Sequence, residues 1–390
     1  MTGGPVRPPA GPEQSGGDRI VFDLDGVRER YETLRRELPG VAVRFAMKAC
    51  PVDEVLACLI KQGSGIDAAS VPEVEQALRA GVPAARVHYG NTVKSDRDIA
   101  NAYRLGIRDF VTDSPEDVAA LGVHAPGARV FCRLATTGGG ALWGLSHKFG
   151  CSPDDAVRIL EAAQADGLAP SGLSVHVGSQ QMSPDAWHAV FERLGEVMAA
   201  LARRGIFLDH VNLGGGLPAL GYLDRRGNPL QAPIDKIFLV LREGVAELRR
   251  AHGEHLGVVM EPGRYLVADH GTIHARVVRM TERHLADGAR QRWLYLSVGK
   301  FNGLYEMDAL QYRLDFPSHA EARTVSAVVA GPTCDSDDAY SVYGLVQVPE
   351  DLASGAPVRI MSCGAYAVSY TTEGFNGFAP LPRICTGGGR

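Results

Sequence analysis

The chain has 390 residues, 45% of them hydrophobic, which is enough to bury a large core as two domains or as one large barrel with an appendage. Its 40 lysines and arginines against 45 aspartates and glutamates give a net charge of −5, and no block rich in lysine or arginine stands out, so nucleic-acid binding has little support. No stretch approaches the ~18 apolar residues of a membrane span, and the seven cysteines have no C-x-x-C spacing, which predicts a reduced, cytoplasmic protein with no cysteine-based zinc site and no residue assigned to a metal.

The first segment of the chain differs in composition from the rest. Residues 1–18 contain the run MTGGPVRPPAGPEQSGG, which is rich in proline and glycine and lacks the apolar centre of a signal peptide. We therefore expect a disordered leader over these residues.

Repeated strand and helix patterns follow, from residue 19 to residue 270. Short β-branched runs alternate with amphipathic segments, which is typical of βα units. The candidate strands are, in order, VAVRFAMK, GIDAA, RVHYG, DFVTD, RVFCRLA, LSVHVGS, HVNLGG and GVVMEPG. Such a series predicts a closed parallel (β/α)8 barrel, in which residues at the carboxyl ends of the strands carry the chemistry.

The pattern changes after residue 270. Short runs of alternating apolar and polar residues predict an all-β domain over residues 271–390. These runs are TIHARVVRM, QRWLYLSVG, RTVSAVVAG and APVRIMSCG. The segment at residues 19–25 either adds a strand to this domain or leads into the first barrel helix, and the pattern leaves both open.

Three strand ends offer donors for an anion. The consecutive glycines Gly214, Gly215 and Gly216 let backbone N–H groups converge without obstruction from Cβ atoms, as in phosphate-binding loops. Arg264 and Ser179 end other predicted strands and add donors for the same anion. The glycine triplet alone is equally compatible with a flexible turn.

Three further residues at strand ends could react with or hold a cofactor. Lys48 is either an exposed lysine or a partly desolvated amine with a lowered pKa that forms a Schiff base. His176 supplies a flat ring, although a histidine on an apolar strand is more often a core residue, and Glu261 supplies a carboxylate. A lysine, a phosphate site, an acid and a flat ring at one barrel mouth are the groups that bind pyridoxal 5′-phosphate.

Ten motifs in order give the chain a resemblance to a known family. They are FAMKACP, GIDAAS, YGNTVKSDRDIA, LSHKFG, HVGSQ, NLGGGLP, EPGR, GPTCDS, GAYAVSY and GFNGF. Over about residues 20 to 385 the chain resembles the fold-type III, pyridoxal-phosphate-dependent ornithine/lysine/diaminopimelate decarboxylases, and especially their bacterial ornithine/lysine branch. The resemblance implies an alanine-racemase-like (β/α)8 barrel with a C-terminal β domain.

The resemblance assigns roles to the strand-end residues. It implies that Lys48 binds the cofactor covalently, that His176 stacks on its ring and that Glu261 pairs with its pyridine nitrogen. Asp67 and Arg133 would lie near the cofactor. The phosphate would be held by Ser179, Gly214, Gly215, Gly216, Arg264 and Tyr366.

A thiol and a carboxylate in the second domain also receive roles from the resemblance. The residue matching Cys334 protonates the carbon that has lost carbon dioxide, and the residue matching Asp335 contacts the distal amine of the substrate. Both would reach into the site of a neighbouring subunit, which implies an obligate homodimer with shared sites. Lys148 and Asp338 would form a salt bridge across that dimer.

The segment SVGKFNGLYEMDALQYRLDFP departs from the usual family pattern, and it bears on the substrate. Tyr305 stands where a small residue is common and would shorten the pocket or add a hydroxyl. Asp335, with Glu306 as a second candidate, favours a cationic substrate tail, because a buried carboxylate needs a partner charge or a proton. L-Ornithine and L-lysine meet that demand.

Other functions remain open at this point. One alternative is a decarboxylase for a non-standard amino acid of a secondary-metabolite pathway. An amino-acid racemase is less favoured, because a racemase of this fold usually pairs the pyridine nitrogen with arginine where this chain has Glu261. A non-catalytic regulator or cofactor carrier is also less favoured, because Lys48 and Cys334 are both present.

Overall fold

Two sheets organise the chain in a computed structural model that describes residues 17–144, 148–340 and 344–388. Most of the predicted leader, residues 1–16, lies outside the described residues. The strands are β1 (Arg19–Asp23), β2 (Val41–Ala46), β3 (Gly65–Ala68), β4 (Val87–Tyr89), β5 (Asp109–Thr112), β6 (Arg129–Arg133), β7 (Ala141–Trp143), β8 (Ala169–Ser174), β9 (Ser179–Gln181), β10 (His210–Asn212), β11 (Gly257–Met260), β12 (Gly271–His284), β13 (Arg290–Leu296), β14 (Leu314–Asp315), β15 (Thr324–Ala330), β16 (Val346–Pro349), β17 (Pro357–Ile360) and β18 (Arg383–Thr386).

Helices cover the outside of the first sheet. They are α1 (Leu24–Glu37), α2 (Asp53–Lys61), α3 (Val71–Arg79), α4 (Asp96–Arg104), α5 (Pro115–His124), α6 (Pro153–Ala165), α7 (Asp185–Ala202), α8 (Ile234–His252) and α9 (Arg264–Val267). Several begin at a serine whose side chain accepts a hydrogen bond from the N–H group three residues later, which satisfies one of the free donors of the first turn. These serines are Ser70, Ser95, Ser114 and Ser152.

The first sheet is a closed parallel barrel. Its strands follow the order β10, β11, β2, β3, β4, β5, β6 and β8, and β8 pairs with β10 to close it. The predicted (β/α)8 barrel is therefore confirmed. All these strands run in one direction, so their carboxyl ends meet at a single rim.

One predicted barrel strand has different bounds. The run LSVHVGS reads as one strand over residues 173–179, but β8 ends at Ser174 and a separate strand, β9, starts at Ser179. Gly178 has φ +97° and Gln180 has φ +54°, and this left-handed backbone cannot continue a regular strand. β9 pairs instead with β7, so residues 175–178 form an irregular loop at the barrel rim.

The second sheet contains strands from both ends of the chain. Its central path runs β14, β17, β12, β13, β15 and β16. β1 lies antiparallel to β12 and parallel to β18. The segment that could belong to either region therefore contributes its strand to the second sheet and then leads into α1.

The described residues form one continuous hydrophobic core that spans both sheets. Among them no helix is long and apolar enough to cross a bilayer. In the same residues no group of three or more histidine, cysteine, aspartate or glutamate side chains is arranged to hold a metal ion.

Candidate active site

Lys48, the predicted reactive lysine, lies at the carboxyl end of β2, in a short turn that starts at Met47. Its Nζ atom is 3.2 Å from Oδ2 of Asp67, which lies near the end of β3 next to it and is 4% exposed. The other oxygen of Asp67, Oδ1, is buried without a hydrogen-bond partner among the described residues. The pairing of neighbouring parallel strands therefore places an amine beside a carboxylate at the barrel rim.

The pKa of Lys48 is raised, although desolvation alone would lower it. Burial lowers the pKa, but Asp67, Tyr366 and Glu261 together raise it above its ordinary value of 10.5. The interpretation of a depressed pKa is therefore wrong for the cofactor-free site. The amine is a cation held by a neighbouring carboxylate, although its side chain is still 47% exposed toward the barrel mouth.

A carboxylate just after β11 is fixed by two neutral side chains. Nδ2 of Asn212 donates to Oε1 of Glu261 at 2.5 Å, and Nδ1 of His88 is 3.3 Å from the same oxygen. Asn212 is itself held, because its Oδ1 accepts from the N–H of Gly214 at 2.9 Å. The sequence analysis did not identify Asn212 or His88, which come from β10 and β4.

The imidazole of His176 lies in the irregular loop after β8. Its Nδ1 accepts the N–H of Gly178 at 3.0 Å, which leaves any proton of the neutral ring on Nε2. Burial, Arg133 and Lys48 lower the pKa of His176 to about 3. The ring is therefore neutral near pH 7 and can offer a flat, uncharged surface to an aromatic group.

The glycine triplet follows β10 and forms a tight cradle. Gly214 and Gly216 have φ of +64° and +107°. A Cβ atom on Gly214 would lie 2.2 Å from the carbonyl oxygen of Val175, and one on Gly216 would lie 2.6 Å from the side chain of Val177. Gly215 packs against His176, whose Nε2 would be 3.1 Å from an added Cβ. Larger residues would fill this space, so the glycines keep the backbone open to a ligand.

Arg264 opens α9 and is 4% exposed. Its Nε donates to Oγ of Ser179 at 3.1 Å, and Nη1 donates to the hydroxyl of Tyr222 at 2.9 Å. Both terminal nitrogens also donate to Glu306, each at 2.6 Å, in a bidentate ion pair. Despite burial, Tyr222 and Glu306 raise the pKa of Arg264 well above its ordinary value.

This ion pair corrects the prediction for Glu306. The carboxylate is 6% exposed, and both oxygens are taken by Arg264, so its charge is already neutralised. It therefore has no need of a substrate ammonium group, and its place is beside the candidate phosphate site. The residue joins the second domain to the barrel.

Three tyrosines line one side of the rim. The ring of Tyr366 lies 4.8 Å from the guanidinium carbon of Arg264 and stacks on Tyr370, with ring centroids 5.1 Å apart. Tyr370 packs edge-on against Tyr305 at 4.7 Å. Tyr366 has φ +65°, which is unusual for a bulky residue and adds to its candidacy as a functional residue. Tyr305 is 48% exposed, and its role in the pocket stays a prediction.

Arg133 ends β6 at the same rim. Its guanidinium carbon lies 4.8 Å from the ring of Phe149, and burial lowers its pKa. Phe149 belongs to the LSHKFG motif, of which residues 145–147 lie outside the described residues. Arg133 also lowers the pKa of His176, which places these two side chains within electrostatic reach.

The loop with the predicted proton donor belongs to the second domain. Cys334 and Asp335 are exposed, and the N–H of Cys334 donates to Oδ1 of Asn376 at 2.9 Å. Among the described residues no hydrogen bond joins Cys334 or Asp335 to Lys48 of the same chain. The structure therefore brings together the residues predicted for the cofactor and leaves these two apart from them.

Asp338 corrects a further expectation for this loop. It is 2% exposed, and its carboxylate accepts from the N–H of Lys300 at 2.6 Å and from the N–H and hydroxyl of Thr333 at 3.0 and 2.6 Å. A carboxylate buried with these donors is not available for the predicted salt bridge with Lys148 of a second subunit. Asp338 instead fixes the loop that presents Cys334.

The rim as a whole suits pyridoxal 5′-phosphate. The cation of Lys48 faces the mouth, the neutral ring of His176 offers a flat surface, and the glycine cradle with Arg264 and Ser179 can hold a phosphate. No hydrogen bond between described residues ends on Oε2 of Glu261, so that oxygen can pair with a protonated ring nitrogen. These residues fit the group that the sequence predicts.

Comparisons with known proteins agree with this geometry. Residues 24–268 match the family described as pyridoxal-dependent decarboxylase, pyridoxal binding domain. The chain is 30% identical over 370 residues to the lysine/ornithine decarboxylase of Selenomonas ruminantium, covering 94% of this chain and 88% of the relative. It is 28% identical over 369 residues to decarboxylase flvG of Aspergillus flavus, covering 92% and 83%. The crystal structure of lysine/ornithine decarboxylase from Vibrio vulnificus, complexed with putrescine, superposes with a TM-score of 0.83 at 30% identity over 96% of this chain and 95% of that one.

Proposed function

Because the chain belongs to the pyridoxal-dependent decarboxylase family, we propose that it removes the α-carboxylate of L-ornithine or L-lysine as carbon dioxide and releases the diamine. Its cofactor is pyridoxal 5′-phosphate. The observation that carries the proposal is the arrangement at the barrel rim, where the Lys48 amine, the neutral His176 ring and Glu261 surround one opening. Glu261 offers a carboxylate, rather than an arginine, as the partner that would hold the ring nitrogen, which favours decarboxylation over racemisation.

Each residue of the rim has a task in this reaction. Bound pyridoxal phosphate supplies a sink for the electron pair that departing carbon dioxide leaves at Cα. With the cofactor bound, Glu261 would hold a proton at the ring nitrogen through Oε2, and His176 would offer its neutral ring to one face. Lys48 would supply the amine that holds the cofactor, and Asp67 keeps that amine in place.

The proton that Cα receives comes from a thiol of a second subunit. Cys334 is exposed on its own chain and makes no hydrogen bond to Lys48 within the described residues, which supports a shared site in a homodimer. A thiol S–H group at this position can act as the proton donor. Asp338 fixes the loop so that the thiol has a defined position.

Mixing two inactive variants tests the shared site. Lys48→Ala and Cys334→Ala are each expected to lose decarboxylation, but dimers that contain one of each have one site with both groups intact. Random mixing at equal amounts would restore about a quarter of the sites for a twofold dimer. A mixture that exchanges subunits and stays inactive would contradict the shared site, and mixing Lys48→Ala with Lys48→Arg is the control that cannot recover.

The preference for a cationic amino acid depends on Asp335. Glu306 is occupied by Arg264, so Asp335 is the predicted acidic contact that still has a free charge near Cys334. Its Oδ1 accepts the N–H of Asp337 at 2.8 Å, and this leaves Oδ2 to meet a substrate ammonium group. The lysine/ornithine decarboxylase from Vibrio vulnificus was crystallised with putrescine, a diamine of this kind.

A substrate panel with a matched pair of variants tests the proposal. Carbon dioxide release is measured for L-ornithine, L-lysine, L-arginine, meso-diaminopimelate and shorter diamino acids, with neutral and acidic amino acids as comparison. Asp335→Asn keeps the turn to residue 337 but removes the charge, and we expect KM for the preferred substrate to rise about tenfold to a hundredfold. Asp337→Asn removes a charge two residues away and is expected to leave KM unchanged.

The outcomes separate the alternatives. Turnover of ornithine or lysine would assign the reaction to polyamine biosynthesis. The seven free cysteines independently support a reducing compartment, such as the cytoplasm, as the location of the protein. If no cationic substrate releases carbon dioxide while the cofactor is still bound, the proposed substrates are wrong. The altered segment around Tyr305 would then be the first candidate for a changed substrate preference. Loss of configuration at Cα without carbon dioxide release would identify a racemase.

A further inference from the structure

A histidine lies inside the barrel directly below the carboxylate that faces the cofactor. His88 is 1% exposed and packs against Phe131, with ring centroids 4.9 Å apart. Its Nδ1 is 3.3 Å from Oε1 of Glu261, and its Nε2 is 3.8 Å from Oδ2 of Asp109. The ring therefore lies between two carboxylates, one at the rim and one deeper in the barrel.

The surroundings define which nitrogen of His88 carries the proton. Burial, Arg44 and His210 lower the pKa of His88 well below its ordinary value, against the opposing effects of Asp109 and Asp67. The ring is thus neutral and has a single N–H group. At 3.8 Å the contact to Asp109 is beyond hydrogen-bond distance, so the proton lies on Nδ1 and is donated to Glu261.

Asp109 does not compete for this proton because it has its own partners. Nε of Arg129 donates to its Oδ1 at 2.7 Å, and Nη2 of Arg44 lies 3.6 Å from Oδ2. Arg129 in turn forms two hydrogen bonds to Asp209, at 2.8 and 3.0 Å. The carboxylate of Asp109 is therefore already paired with arginine side chains, and it does not need the proton of His88.

The two donors to Glu261 act on one oxygen. Asn212 and His88 both donate to Oε1, and no hydrogen bond between described residues ends on Oε2. A carboxylate held on one oxygen by two rigid donors has a fixed plane, and its second oxygen points in a fixed direction. With Asn212 as its only donor, the carboxylate of Glu261 could still rotate about that one hydrogen bond. The second donor, His88 from β4, prevents this rotation.

We propose that His88 is a positioning residue, which donates its Nδ1 proton to Oε1 of Glu261 and thereby aims Oε2 at the pyridine nitrogen of the cofactor. The inference rests on the proposed function for its catalytic consequence. It adds a residue of β4, on the far side of the carboxylate from the ligand, to the groups that the reaction needs. His88 touches neither substrate nor cofactor.

Two substitutions of matched size test the donor. His88→Asn offers an amide N–H near the position of Nδ1, whereas His88→Leu introduces a side chain with the same number of heavy atoms as asparagine and no donor. Cofactor-free protein is titrated with pyridoxal phosphate to give the dissociation constant, and the absorbance of the bound cofactor is followed against pH. kcat and KM are then measured for the substrate found in the panel.

The expected result is a split between the two variants. His88→Leu should bind pyridoxal phosphate about tenfold more weakly, shift the pH dependence of the bound-cofactor absorbance and lower kcat about tenfold, with KM within about twofold. His88→Asn should recover most of each loss. Equal impairment of both variants, or wild-type cofactor affinity and absorbance in His88→Leu, would overturn the proposal.

Folding and function are kept apart in this design. Thermal unfolding of both variants shows whether the barrel survives, and a common loss of stability without the split identifies a packing role only, which also overturns the proposal. If wild-type protein releases no carbon dioxide from any amino acid of the panel, the proposed function fails. The cofactor titration still decides the role of His88, because it needs no substrate.

Discussion

The barrel rim and the loop of residues 331–338 differ in how completely one chain builds them. At the rim, Lys48, Glu261 and Arg264 each have a partner within the same chain. In the loop Asp338 is buried and bonded, while Cys334 and Asp335 remain exposed. One chain thus completes the proposed cofactor site and leaves the residues that we propose to contact the substrate exposed.

This difference separates two kinds of requirement. A cofactor that stays bound needs a rigid site with satisfied polar groups, which a single folded barrel can provide. A substrate must enter and leave, so the groups that contact it have fewer partners before it arrives. Variants of the rim should therefore abolish chemistry or reduce stability, whereas variants of exposed loop residues should change substrate binding.

The largest effect is expected at the lysine of the rim. Lys48→Ala removes the amine that Asp67 holds at the mouth, and decarboxylation should fall by roughly three orders of magnitude or more. Carbon dioxide release and thermal unfolding are measured together. Lys48→Arg keeps the positive charge near Asp67 and should be equally inactive, and full activity in either variant would remove Lys48 from the reaction.

A large loss of stability is expected at the ion pair between the two domains. Glu306→Gln leaves the buried guanidinium of Arg264 without its charged partner and should lower the free energy of unfolding by about 3 kcal/mol. Denaturant unfolding measures this. Glu282→Gln, which removes a carboxylate from exposed pairs with Arg290 and Arg292, should cost less than about 1 kcal/mol. Similar losses in both variants would contradict the burial argument.

Asp338, which holds the loop of residues 331–338, should show a smaller loss of unfolding free energy. Asp338→Asn replaces an acceptor that receives three hydrogen bonds, and it should cost about 2 kcal/mol of unfolding free energy and lower kcat. Asp337→Asn is the control in the exposed part of the loop and should stay within about 0.5 kcal/mol. If kcat is unchanged in Asp338→Asn, the loop does not position Cys334.

The smallest effect concerns pH. The folded-state pKa of His176 is about 3, below its ordinary 6.5, so the unfolded chain takes up the proton first as pH falls. The neutral ring therefore contributes its full share of stability above the pKa that His176 has in the unfolded chain, and this share is lost progressively as the pH falls below that value. Between pH 7.5 and pH 5 the free energy of unfolding of the cofactor-free protein should fall by about 2 kcal/mol more than that of the His176→Gln variant. Parallel pH profiles for the two proteins would contradict a neutral, buried ring.

The barrel was predictable because its signal is local and repeated. Each strand is a short apolar run, each helix an amphipathic one, and several helices begin at a serine cap such as Ser70. The rim residues followed from the rule that strand ends carry the chemistry and from motifs that match a family. The interruption after β8 was missed because Val175 and Val177 favour a strand, while Gly178, whose backbone breaks it, was read as part of the run.

The partners of charged residues could not be predicted in the same way. Glu306 binds Arg264 across 42 positions of sequence and between two domains, and nothing local in either segment indicates the other. His88 lies on a short apolar strand and is buried, and only the folded barrel shows that its ring reaches Glu261. Asn212 is the first residue of the NLGGGLP motif, but the sequence does not indicate that its side chain binds Glu261.

The pairing of β1 with β18 has a consequence for how the protein is made. The hydroxyl of Thr386 donates to the carbonyl of Phe22, and the two residues are 364 positions apart. During synthesis the first strand leaves the ribosome long before β18 exists, so the second sheet cannot be completed until β18 has been made. Removing β18 should therefore leave the edge of β1 open to other chains, and such a truncated protein should aggregate although its barrel sequence is intact.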